Sequence, residues 1–189
     1  MWKQFSGNAM LGGLACAALL LLTVRAQQGD ALPGWVTADW QYWTQGSGRW
    51  IADNSAYKAP NEPFDAYGTE WKLGLGKKSL KGRLFAVRDG KEVGTIWEFH
   101  SYWHPAEKRV VLLQFGSDGT FATGTMRVTG EKMTESLERF FDPAGKSTQL
   151  GHRAELHPGE ARMQSYDVSE DGTWTQRRYY VWKLQPPAK

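Results

Sequence analysis

The chain has 189 residues, 13% of them aromatic and 10 of them Trp, with one Cys and 23 Lys+Arg against 20 Asp+Glu. That length gives one domain with a sizeable core, and the lone Cys excludes a disulfide framework. The small positive balance forms no basic stripe, so a nucleic-acid partner is not expected.

Residues 1–26 read as a secretory leader. Lys3 supplies the positive start, Met10 to Val24 is apolar, and Val24-Arg25-Ala26 is a small-residue cleavage site. The apolar stretch is shorter than the roughly 20 residues a spanning helix needs. An uncleaved anchor is therefore the less favoured reading, and no stable membrane span is expected after cleavage. Cys16 lies inside the apolar run and not at its end, which disfavours lipidation. The mature chain then has no Cys, and an exported protein without disulfides points to a bacterial periplasm or exterior. Loss of Lys3 and Arg25 lowers the formal charge to +1.

Residues 27–38 are expected to be a flexible tail, and 39–189 a single β-barrel domain. Asp39 is expected to cap a short helical turn carrying Trp40 and Trp43. Gly46-Ser47-Gly48 stops the turn and Gly48 to Ala52 is the first strand. Residues 58–67 hold two prolines and no period, so they form a loop. From Gly68 onward alternating runs are punctuated every 8–12 residues or so, the pattern of an all-β sandwich or barrel.

The clearest run lies between Gly90 and Gly119. Val93, Thr95, Trp97, Phe99, Ser101 and Trp103 share one face; Glu98, His100 and Tyr102 share the other. Carried across the turns, that apolar face continues through Leu113 and Phe115, then Ala122, Gly124 and Met126. Met133, Glu135, Leu137, Arg139 and Phe141 follow, then Leu150, His152, Ala154 and Leu156, then Ala161, Met163 and Ser165. Trp174, Gln176, Arg178, Tyr180 and Trp182 end it. Backward it runs through Leu80, Gly82, Leu84 and Ala86, then Trp71, Leu73 and Leu75. The other face holds most charges, including Glu138. Closure removes the sheet edges. The expected fold is thus all-β: a closed or nearly closed antiparallel up-and-down barrel of about ten strands with a short N-terminal helical turn. The small inward residues Ala52, Gly82, Ala86, Ala122, Gly124, Ala154 and Ala161 are expected to leave an open cavity.

A short helical turn followed by Gly48-Arg49-Trp50 at the start of an antiparallel meander resembles the G-x-W signature of lipocalins. The resemblance implies that Trp50 closes the barrel floor and that Arg178 or Arg177 packs over it. Arg178-x-Tyr180 also resembles the inward Arg-x-Tyr pair of fatty-acid-binding proteins, relatives in the calycin group. The chain lacks lipocalin disulfides and the long C-terminal helix. It is similar to lipocalin-like domains of bacterial exported proteins, which implies a ligand-binding barrel.

The expected ligand-binding set is Trp97, Phe99, Leu113, Met126, Glu135, Arg139, His152, Trp174, Arg178 and Tyr180, around a small hydrophobic or amphipathic molecule. Arg178 admits two roles: gripping an acidic head group with Tyr180, or stacking over Trp50. His152 could touch ligand or iron, or be satisfied by Ser165 or Glu135. Glu135, Arg139 and Asp167 read as an internal ion network or as an acid–base site. There is no metal motif, no nucleophile motif and no cofactor motif, so no catalytic residue, metal or cofactor is assigned. The expected function is an exported small-molecule-binding protein. Its alternatives are an enzyme using Glu135, Arg139, His152 and Arg178, or a structural envelope protein with a filled barrel.

Overall fold

The computed structural model describes residues 31–187, so the leader expected over 1–26 lies outside the described residues. Helix α1 (Gly34–Thr44) precedes ten strands: β1 (Arg49–Asp53), β2 (Ala66–Leu73), β3 (Ser79–Arg88), β4 (Lys91–His104), β5 (Arg109–Gly116), β6 (Phe121–Gly130), β7 (Met133–Phe141), β8 (Ser147–His157), β9 (Glu160–Val168) and β10 (Trp174–Leu184). Each strand pairs antiparallel with its sequence neighbours, and β1 pairs with β10 to close the barrel. The expected all-β, closed up-and-down barrel is therefore what the chain forms.

The helix begins at Gly34, inside the stretch expected to be a tail, and Asp39 lies in its middle and not at its cap. What holds it is a buried stripe at helical spacing, Val36, Asp39, Trp40 and Trp43. Gly46 and Gly48, both at positive φ, end it. Gly48 also has a packing reason: a Cβ there would sit 2.4 Å from the Trp71 carbonyl oxygen. Trp50 follows, 0% exposed, stacked on Tyr42 at 5.1 Å with its Nε1–H donated to the Trp43 carbonyl at 2.9 Å. With Trp40, Trp43, Leu80, Val110, Leu156, Ala161 and Trp182 it forms the apolar core of the α1 end.

Hairpin details decide which side chains enter the barrel, and they invert four stretches. The β4–β5 connection has four residues, since His104 pairs with Arg109; Phe99 thus faces Gln114. Val110, Leu112 and Gln114 point inward, while Leu113 and Phe115 belong to the outer face, Phe115 45% exposed. A bulge between Val128 and Gly130 adds one residue before the β6–β7 turn. Thr134, Ser136, Glu138 and Phe140 therefore point inward, and Met133, Glu135, Leu137, Arg139 and Phe141 outward. A bulge between Gln176 and Tyr179 turns Trp174 and Gln176 outward, while Tyr180 and Trp182 stay inside opposite Met163 and Ala161. A shift between Leu84 and Phe85 turns Val93 and Thr95 out while Trp97 and Phe99 stay in. Leu75 lies in a 3-10 turn, 93% exposed. Asp167 is near the strand end and pairs with Arg177 at 3.5 Å.

Candidate functional site

The barrel encloses a cavity of about 660 Å³. Its floor comes from α1, which contributes Asp39, Trp40 and Trp43. Its walls include Trp71, stacked on Phe99 at 5.2 Å, with Leu112, Met126, Met163 and Trp182. The small inward residues explain this space only in part. Ala154 borders it, but a Cβ on Gly82 would lie 2.3 Å from the Trp71 ring, so Gly82 seats an aromatic. Gly124 likewise gives room to the Leu137 carbonyl and the Glu138 side chain.

Two polar clusters interrupt the apolar lining. In one, the Glu138 carboxylate is 3% exposed and accepts hydrogen bonds from Gln114 and, at 2.7 Å, from Ser136 Oγ. His152 Nδ1 lies 3.3 Å from Glu138 Oε1 and 3.4 Å from Ser136 Oγ. In the other, Arg178 donates to both oxygens of Glu62, at 2.5 and 2.6 Å, and to Tyr180 at 3.2 Å. Tyr67 donates to Glu62 at 2.6 Å, and Tyr180 to the Asn54 side chain at 2.8 Å. The hydrogen bonds from Arg178 hold the Glu62 carboxyl below its ordinary range. Burial raises the phenols of Tyr67 and Tyr180. The guanidinium also stands over the Tyr57 ring at 5.2 Å.

Two buried polar atoms on the lining are left over. Among the described residues, neither Asp39 Oδ1 nor Trp182 Nε1 has a hydrogen-bond partner. Asp39 is 4% exposed, and burial pushes its carboxyl up to about 7 against the opposing hydrogen bond from the Trp43 side chain.

Of the sequence-expected residues, Trp97, Phe99, Met126, His152, Arg178 and Tyr180 come together on the lining. Leu113 borders the cavity, but its partners His100 and Thr123 put its side chain on the outer face. Glu135, Arg139 and Trp174 are outside. Glu135 is clamped between Arg127 (2.7 Å) and Arg153 (2.9 Å), Arg139 donates to Ser147 at 3.3 Å, and Trp174 packs edge-on against Tyr166 at 5.2 Å. Arg178 does not cap Trp50. Trp50 pairs with Leu184, six residues farther along β10, a separation of about 20 Å at strand rise; Tyr42 takes that place. His152 is satisfied from β7 by Glu138 and Ser136; Ser165 instead bonds the backbone of Arg178.

Asp39, Glu62, Gln114, Ser136 and Glu138 were not readable as site residues. Glu138 and Ser136 were hidden by the β6 bulge, and Glu62 by its loop, which has no period. A signal for Asp39 existed: its place on the Val36-Trp40-Trp43 stripe.

The Ser136, His152 and Glu138 cluster is not a nucleophile relay. A relay uses both ring nitrogens, one toward the hydroxyl and one toward the carboxylate; here Nδ1 faces both, and Ser136 donates directly to Glu138. Among the described residues no group of three His, Cys, Asp or Glu is placed to hold a metal ion. Comparisons of the chain with protein-family models, with curated proteins and with solved structures find no match.

Proposed function

We propose that this is an exported, lipocalin-like binding protein that holds a small apolar or amphipathic molecule inside its barrel. The observation that carries the reading is the cavity of about 660 Å³, walled by Trp, Phe, Leu and Met with a few placed polar groups. Ligand sites run from roughly 300 to 1,000 Å³ with that kind of lining. The unfilled space weighs against a purely structural barrel, and the single-nitrogen contact of His152 weighs against an enzyme. The Gly48-Arg49-Trp50 plug under α1 supports kinship with lipocalins. Export rests on the leader over residues 1–26, and a bacterial periplasm or exterior on the Cys-free mature chain.

Native mass spectrometry of the protein purified from its own host tests this. The expected spectrum shows an added mass that is released on denaturation and is apolar or amphipathic. A spectrum of bare chain from freshly isolated protein, with no apolar mass recovered by organic extraction, would count against a carrier.

A further inference from the structure

We infer that Asp39 is the ligand's polar anchor, and that the barrel prefers an amphiphile whose buried end carries a protonated amine. The inference rests on the binding reading above and deepens it. Asp39 lies on the cavity floor, is 4% exposed, and among the described residues has no partner for Oδ1. A buried carboxylate with an unpartnered oxygen is costly unless a counter-charge or further donor meets it.

Among the described residues the lining has no cation to spare for it. Arg178 is held by both oxygens of Glu62. Arg177 pairs with Asp167 at 3.5 Å, and His152 stands beside Glu138 at 3.3 Å. Among the described residues the lining carboxylates are three, Asp39, Glu62 and Glu138, and the guanidinium bonded among them is already engaged. An acidic head group would therefore meet repulsion at the floor and an occupied Arg178. A cationic one would meet the Asp39 carboxyl, whose Oδ1 is unpartnered, on a floor shared with Trp40 and Trp43. The raised pKa of Asp39 agrees with this, since a group that resists ionisation alone is the one a bound cation relieves most.

Isothermal titration of the mature protein at pH 8 with octylamine, 1-octanol and octanoate decides the matter. These probes share the alkyl chain and differ in head charge. Octylamine is expected to bind at least tenfold more tightly than octanol, with octanoate weakest. In Asp39→Asn the octylamine affinity should fall to that of octanol, and octanol should change less than twofold. Equal affinity of octylamine and octanol for the wild-type protein would overturn the inference, as would an amine preference that survives in Asp39→Asn. The wild-type comparison decides even if the variant does not fold. Octanol binding without an amine advantage removes only the Asp39 anchor. Failure of all three probes to bind removes the binding reading with it.

Discussion

At the α1 end of the barrel, Trp50 is stacked on Tyr42 and hydrogen-bonded to the Trp43 carbonyl, and Val36, Trp40 and Trp182 pack around it. Farther along the same strands, Tyr180 and Arg178 meet Glu62 and Tyr67, and across the barrel Glu138 meets Gln114, Ser136 and His152. Both regions are built on inward positions of the same ladder. The first packs apolar rings around Trp50, whose indole N–H is satisfied; the second spaces paired polar groups around rings that leave a void. The contrast teaches that the plug around Trp50 and the polar clusters of the cavity are carried by different residues, with Asp39, Trp40, Trp43 and Trp182 on the border between them.

Breaking the filled end should cost most. Trp50→Ala removes a fully buried indole, for which losses of about 3–5 kcal/mol are usual. Urea denaturation should show that fall, and a loss under about 1 kcal/mol would mean Trp50 is not the plug.

The border residue gives a pH signature. The folded-state pKa of Asp39, about 7, lies above its ordinary 3.8, so the folded state keeps a proton that the unfolded state releases. Stability of the ligand-free protein should therefore decline as pH rises from about 4 to 7 and level off above. At about 1.4 kcal/mol per pKa unit the full effect reaches up to roughly 4 kcal/mol. Asp39→Asn should flatten that part of the profile. Among the described residues, the other ionisable groups lining the cavity are Glu62, Tyr67, Glu138, His152, Arg177, Arg178 and Tyr180. A profile unchanged by the substitution would assign the slope to one of them.

The paired polar region should be less costly to disturb. Glu62→Gln leaves Arg178 with a neutral partner and should lower stability by about 1–2 kcal/mol near neutral pH. Because Arg178 depresses the Glu62 pKa, the ion pair's contribution is present above the ordinary carboxylate range and is lost as pH falls through the folded value. The gap between wild type and variant should accordingly close in acid. A constant gap across pH would show that shape, and not charge, sets the contribution.

The division between what the sequence disclosed and what it hid follows the same physics. Two-residue alternation found the strands, their meander order and the closed all-β fold, because side-chain parity is local. It placed Trp97, Phe99, His152 and Tyr180 inside for the same reason. It failed wherever the residue count between strands shifted by one: the bulges at Val128 and at Arg177-Arg178, and the four-residue turn after His104. A single extra residue exchanges the faces of everything up to the next compensation, which hid Glu138 and falsely placed Glu135, Arg139 and Trp174 inside. The Glu62 to Arg178 pair joins residues 116 apart through a loop with no period, so nothing local announced it.

The most direct test of a ligand-holding void is binding of the neutral apolar dye N-phenyl-1-naphthylamine, followed by its fluorescence. Ala154 is buried and borders the cavity, so Ala154→Trp would place an indole in the space the dye needs. The wild-type protein should bind the dye saturably at one site. The variant should keep its β circular dichroism and lose binding by at least tenfold. No saturable binding to the wild-type barrel, or undiminished binding to a folded Ala154→Trp, would contradict the cavity as the protein's working site.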